Sequence, residues 1–276
     1  MAGCYTHLTL VSKLIDKRVL KSIGIDAPIS KLLREWSNYA LLGTVSPDLP
    51  YLGLDKRWAD RFHYEKTSQI VREGLVTLFG KPFDDVNTQK LIAWLFGYVT
   101  HLVTDLYIHP VIEMKVGPYA ENATEHRICE MNQDVWILKK EMFNDVGRCE
   151  IFDNTIKTCT EKGAEGYFVD KAISKLWKAY LPRLSPSPGR WYFCFVTLMD
   201  KFAENPDKHL IITREALKNF HYGYPSEPNI DYVENLRRPN GGSVDFYEVF
   251  NGAVENAKVY WTQIAKAIST KDVSCF

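Results

Sequence analysis

Residues 94–110 read WLFGYVTHLVTDLYIHP, apolar enough for a central, buried helix, yet they carry His101, Asp105 and His109. At i, i+4 and i+8 these three stack along one helix face with about 40° of drift per step. Burying a carboxylate and two imidazoles on an apolar helix is unfavourable unless they are paired or bind a metal. The device recurs at His126 and Glu130, again i and i+4, and Asp134 extends that row. His7 falls on the first predicted helix, Asp48 in a Ser-Pro-Asp turn, and His63 fifteen residues further on. Taken singly, each has an ordinary explanation. A lone histidine on an apolar helix is more often a packed core residue than a ligand, and i,i+4 polar pairs are common on solvated faces. The count decides: of 7 histidines, those at 7, 63, 101, 109 and 126 all lie in the first half of the chain, at helical spacings from carboxylates. Imidazole and carboxylate without thiolate suit zinc in a hydrolytic site; a structural zinc site would draw on cysteines. There is no G-x-S-x-G, no phosphate-cradling glycine loop and no H-E-x-x-H, so serine hydrolases, P-loop enzymes and metalloproteases of that type are disfavoured.

Helices must position these residues, since clean alternation over strand length is hard to find. The periodicity predicts helices over about 5–21, 27–43 (Pro28 in its first turn), 58–79 and 86–109, the last ended by Pro110. A fifth runs over 122–143, opening on the capping pattern Asn-Ala-Thr-Glu. Further helices are expected at 161–181, 190–204, 208–219 and 245–268, with Pro/Ser/Gly-rich breaks at 182–190 and 222–243. The second break is long for a compact domain and reads as a site-covering or mobile loop. With no internal repeat, the expectation is one all-α domain over 1–276, its metal ligands within 2–130 and its C-terminal helices completing the bundle.

Composition narrows the function. The 34 Lys+Arg balance 34 Asp+Glu, so the net charge is +0, which argues against a binder of long nucleic acids. At 46% hydrophobic and 25% charged, the 276 residues have a globular composition, not a disordered one. The best apolar run, 92–99, is too short to span a bilayer, and the opening MAGCYTHLTLVSKLIDKR lacks the layout of a secretory signal. Six cysteines (4, 129, 149, 159, 194, 275) form no C-x-x-C pair and read as reduced thiols. A cytoplasmic protein is expected, and a lipid substrate would then imply inner-leaflet association or leaderless export.

The order His7, Asp48, His63, His101-x3-Asp105, His109, His126-x3-Glu130 resembles that of the zinc-dependent phospholipase C family, whose distant relatives are the fungal single-strand-specific nucleases. The resemblance covers about residues 2–130 by motif and the whole chain by size and class. It implies an all-α fold ligating up to three zinc ions. Asp48, His63, His101 and Asp105 would bind the first, and His109, His126 and Glu130 the second. His7 would bind the third with Asp105 bridging, its remaining ligands being the amine and carbonyl of the mature N-terminus. In the nucleases that residue stands five before the first histidine, which here is Ala2, and Met-Ala is a good substrate for removal of the initiator. Glu130 matches the phospholipases, where the nucleases carry Asp. The Asp48–His63 spacing sits closer to the nucleases, and His109 follows Asp105 by four residues where the relatives place six.

The implied chemistry is phosphodiester hydrolysis. Three Zn²⁺ against Asp48, Asp105 and Glu130 leave about +3, an electrostatic trap for a phosphate ester. A zinc-bound water has a pKa near about 7, so hydroxide is available for in-line attack on phosphorus. The family resemblance gives Asp48 the further role of orienting or deprotonating that nucleophile. Choline-selective members carry Tyr after the aspartate and Phe three residues before the next histidine; Leu49 and Asp60 stand there, so a phosphatidylcholine pocket is not expected. Asp60 favours a cationic headgroup if it lines the cleft, and is otherwise a solvated residue. A phospholipid is the expected substrate, with peripheral membrane contact. The alternatives are a zinc nuclease or nucleotide phosphodiesterase on the same metals, and a metal-stabilised binding protein without turnover.

Overall fold

In the computed structural model, the described residues are 2–52, 56–146, 149–163, 166–180, 192, 196 and 224–276. The axis of the fold is α8 (Val86–Val116), opened by Asp85, whose carboxylate accepts from the Thr88 N–H at 2.8 Å. By length and composition α8 is long and apolar enough to cross a membrane, but 78% of its most apolar stretch is buried inside the fold. That apolar surface serves the core, packed by α1 (Cys4–Leu14), α4 (Ser37–Val45), α9 (Tyr119–Met142) and α12 (Phe246–Thr270). Pro110 does not end the helix as expected. It removes one backbone donor, but Leu106 and Tyr107, one turn before it, are exposed, so the unpaired Leu106 carbonyl lies on the solvent side of the helix. Gly117, at φ +88°, ends the helix instead.

α4 and α8 cross backbone against backbone. A Cβ on Gly43 would run into the Trp94 carbonyl oxygen, and one on Gly97 into that of Ala40. Gly43 is therefore not the expected helix stop: it lies inside α4, where its missing side chain lets two backbones touch. Hydrogen bonds tie α8 to the elements around it. The Trp94 indole donates to Ser46 Oγ at 3.0 Å, the Tyr98 hydroxyl to the Phe62 carbonyl at 2.9 Å, and the Trp261 indole of α12 to Thr100 Oγ1 at 2.8 Å.

Several expected helices are broken by single residues. The first divides into α1 and α2 (Lys17–Ser22), because Asp16 caps a new start by accepting from Arg18 N–H. The second divides at Trp36 (φ −104°, ψ 31°) into α3 (Ala27–Glu35) and α4. The Ser-Pro-Asp turn leads into α5 (Leu49–Leu52). The third divides at Lys66, in the left-handed region (φ 54°), into α6 (Lys56–Tyr64) and α7 (Thr67–Phe79). Asn122 kinks α9 instead of opening it, its side chain donating to the Pro118 carbonyl.

After α10 (Ile151–Thr158), the helix expected from 161 begins as an antiparallel hairpin. Its strands β1 (Thr160–Gly163) and β2 (Gly166–Val169) pair Thr160 with Val169, and α11 (Lys171–Tyr180) follows. The 222–243 break holds a 3-10 turn (Ile230–Tyr232) and a second small ladder, β3 (Leu236–Arg237) with β4 (Ser243–Val244). The helices expected at 190–204 and 208–219 fall outside the described residues apart from Tyr192 and Val196, which are buried. The helical expectation stands: this is an all-α fold with two short ladders.

Candidate metal centre

Four separate stretches of chain converge on Asp105. His7 comes from α1, Asp48 from the turn after α4, His63 from α6, and His101 from one helical turn before Asp105 on α8. His7 Nε2 lies 3.4 Å from Asp105 Oδ1, and His101 Nε2 3.4 Å from Oδ2. His63 Nε2 stands 3.1 Å from Asp48 Oδ1 and 3.8 Å from Asp105 Oδ2. The His7 and His101 rings stack at 4.2 Å between centroids. The Ala2 nitrogen donates to Asp105 Oδ1 at 2.8 Å. Two overlapping triads, His7–His101–Asp105 and Asp48–His63–His101, each bring three ligand atoms within 4.8 Å of one another.

The ring orientations show whether a metal fits. His101 Nδ1 lies 2.8 Å from the Thr44 carbonyl and His63 Nδ1 2.7 Å from the Ala59 carbonyl. A carbonyl only accepts, so both Nδ1 atoms carry hydrogen and each ring turns its Nε2 toward the cluster. Those two Nε2 atoms face each other at 3.0 Å. With both rings neutral their lone pairs would oppose each other at that separation, and a cation, whether a shared proton or a metal ion, relieves the repulsion. Holding the far ring nitrogen on a carbonyl is also how proteins orient metal-binding histidines. Among the described residues neither ring nitrogen of His7 has a hydrogen-bond partner, although the side chain is fully buried. The donor set fits zinc.

Charge agrees with the geometry. Burial alone would raise the Asp105 carboxyl, but the imidazoles of His101 and His7 hold it well below the usual range. Burial likewise opposes ionisation of Asp48, and His101, His63 and His7 together still lower it. Both carboxylates are thus held as anions beside imidazoles.

His109, His126 and Glu130 lie beside this cluster but form no comparably tight triad among the described residues. The His109 and His126 rings are 6.3 Å apart between centroids. His126 donates from Nε2 to the Gly117 carbonyl at 2.7 Å, so its Nδ1 presents the lone pair. His126 Nδ1 and His109 Nε2 are buried without a hydrogen-bond partner. Burial pushes Glu130 up to about 7, with the Asp48 and Asp105 carboxylates adding to the rise and Arg127 opposing it.

Beside the cluster stand three tyrosines that spacing did not single out. Tyr51 and Tyr64 lie 5.8 and 5.6 Å from the His63 ring, and Tyr119 lies edge-on to His126 at 5.2 Å. Asp60 accepts from the Tyr51 hydroxyl at 3.4 Å, on the same side of α6 as His63. The sequence signal for these tyrosines was their position next to, or within a turn or two of, the ligand candidates. The carbonyls of Thr44, Ala59 and Gly117 had no side-chain signal at all.

An all-helical domain that gathers histidines and carboxylates from four stretches of chain around one bridging aspartate has the donor chemistry of a zinc protein. The model of the zinc-dependent phospholipase C family matches residues 6–185, and the chain belongs to that family. The match contains every candidate ligand except Ala2. No curated protein and no solved structure matches the chain.

Proposed function

We propose that the protein is a zinc-dependent phosphoric diester hydrolase of phospholipase C type, acting on the headgroup ester of a phospholipid. The observation that carries this reading is the Asp48–His63–His101–Asp105–His7 cluster, with the far nitrogens of His63 and His101 held on carbonyls. Asp48, His63, His101 and Asp105 would hold one zinc, His109, His126 and Glu130 a second, and His7 with Asp105 a third. Zinc, when bound, supplies Lewis-acid charge for a phosphoryl oxygen and a nucleophile available at neutral pH. Asp48, anionic and at the edge of the cluster, orients that nucleophile and accepts its proton. Ala2 joins the third ion if its nitrogen is a free amine; as a peptide nitrogen it donates to Asp105 instead.

Tyr51, Tyr64 and Tyr119 with the Asp60 carboxylate put π faces and a negative charge beside the cluster, which suit a cationic headgroup. Tyr64 and Leu106, each the immediate neighbour of a cluster residue, are 68% and 72% exposed, and they support peripheral contact with a membrane. The net charge of +0 weighs against a long nucleic-acid groove.

The test is a panel of phospholipids, single-stranded DNA and nucleotides, each assayed with and without chelator. Release of phosphorylated headgroup, abolished by chelation and restored by zinc, is the expected result. Efficient cleavage of single-stranded DNA with no headgroup release from any lipid would assign the site to the nuclease branch. Zinc uptake with no turnover on any substrate would make it a binding module.

A further inference from the structure

Asp134 extends the His126–Glu130 row in sequence, but its carboxylate is fully engaged elsewhere. Oδ1 accepts from the Thr6 N–H and from Thr6 Oγ1, both at 2.7 Å. Oδ2 accepts from the Tyr5 N–H at 3.1 Å and from the Tyr224 hydroxyl at 2.7 Å. Four donors fill the four lone-pair sites of a carboxylate, so none is left for a metal. The first-turn amides of α1 need such a partner, because its N-cap is Gly3, which has no side chain to offer. An anion at a helix N-terminus is favoured electrostatically as well. Asp134, from α9, thus caps α1 across more than a hundred residues of sequence, and it is buried. Gly3 is the complement of this contact: a Cβ there would overlap the Asp134 carboxylate.

His7 depends on this seat more than the other histidines do. His63, His101 and His126 each have one ring nitrogen fixed on a carbonyl. His7 has no such carbonyl bond among the described residues, so its ring is placed by where α1 sits, by stacking on His101 and by Asp105, 3.4 Å from its Nε2. Ala2, whose nitrogen reaches Asp105, lies directly before Gly3, and Thr6, which Asp134 holds twice, directly before His7.

We propose that Asp134 is a positioning residue, not a ligand: its carboxylate, admitted by the absence of a side chain at Gly3, seats the first turn of α1 so that His7 and Ala2 meet Asp105. The proposal rests on the zinc reading above. It concerns the arm of the centre that His7 supplies, and leaves Asp48, His63 and His101 to their own elements.

The test follows the His7 ring by ¹⁵N NMR during zinc titration, alongside metal stoichiometry and amide exchange at Tyr5 and Thr6. Asp134→Asn and Gly3→Ala should each speed exchange at both amides and weaken the zinc step reported by His7 by about tenfold, as outer partners of ligands typically do. The steps reported by His63 and His101, and the far-UV spectrum, should be unchanged. In an Asp134→Ala background the overlap is gone, so adding Gly3→Ala should have little further effect. Additive effects of the two substitutions, or equal weakening at His7, His63 and His101, would overturn the proposal and leave Asp134 a general structural cap. A wild-type chain that binds no zinc would remove the zinc reading and this inference together; the wild-type titration tells that outcome from failure of the inference alone.

Discussion

Asp48 sits 3.1 Å from His63 Nε2, with three imidazoles near enough to keep it ionised against the effect of burial. Replacing it by asparagine keeps its volume and removes its charge. Asp48→Asn should lower turnover on the best substrate by about 10²-fold or more, with melting little changed. Near-normal turnover in that variant would take Asp48 out of the catalytic machinery. That His101 and Asp105 share a buried polar cluster was legible because helical register does the work: one turn apart on an apolar helix, they had to be paired or bound to metal. Asp134 has the same register relative to Glu130 and serves a different purpose, because the helix that meets it there is α1 and not a metal ligand. Register shows which side chains share a face, but not what packs against that face. The carbonyls that orient His63, His101 and His126 were out of reach for another reason: backbone groups exist at every position and leave no mark in a sequence.

At the scale of the element, the site depends on how closely α4 and α8 approach. Thr44 rides on one, with Asp48 in the turn that follows it, His101 and Asp105 ride on the other, and Gly43 and Gly97 let the two meet. Gly97→Ala would drive a methyl into the Ala40 carbonyl and force the helices apart. It should destabilise the protein by about 2–3 kcal/mol and weaken zinc binding, read by denaturant unfolding and metal titration. Unchanged stability would show that the crossing is looser than described.

A second junction lies away from the metals. Asp170 caps α11 by accepting from the Ala172 N–H at 2.8 Å, and accepts from the Tyr39 hydroxyl at 2.8 Å and from Lys90 Nζ at 2.6 Å. Burial opposes its ionisation, yet Lys90 and Tyr39 lower its pKa below the ordinary carboxylate value. A depressed pKa in the folded state gives stability that is present above the unfolded pKa and lost as pH falls through the folded one. Wild type should therefore exceed Asp170→Asn by about 1–3 kcal/mol at neutral pH, with the gap closing below about pH 4. A gap independent of pH would assign the loss to packing. The long helices were readable from their periodicity. Their interruptions were not, because each turns on the backbone angles of one residue (Asp16, Trp36 or Lys66) inside an otherwise periodic run. The β1–β2 hairpin was hidden for a similar reason: Thr160–Gly163 is too short and too polar to show alternation.

For the whole molecule, the centre is a buried polar cluster inside an otherwise apolar helical core, and that arrangement has thermodynamic consequences. His7 and His101 are fully buried, and nitrogens of His7, His109 and His126 have no hydrogen-bond partner among the described residues. Groups left in that state destabilise a fold, and a bound cation satisfies them, so metal affinity and folding stability are linked here. The family assignment and the clustered imidazoles and carboxylates agree with a zinc centre. The most direct test is zinc content together with the melting temperature, before and after chelation and again after zinc is restored. The account predicts at least one tightly held zinc per reconstituted chain, a melting temperature that falls by several degrees on chelation, and recovery with zinc. Less than one zinc per chain after reconstitution, with a melting temperature that chelation leaves unmoved, would contradict it.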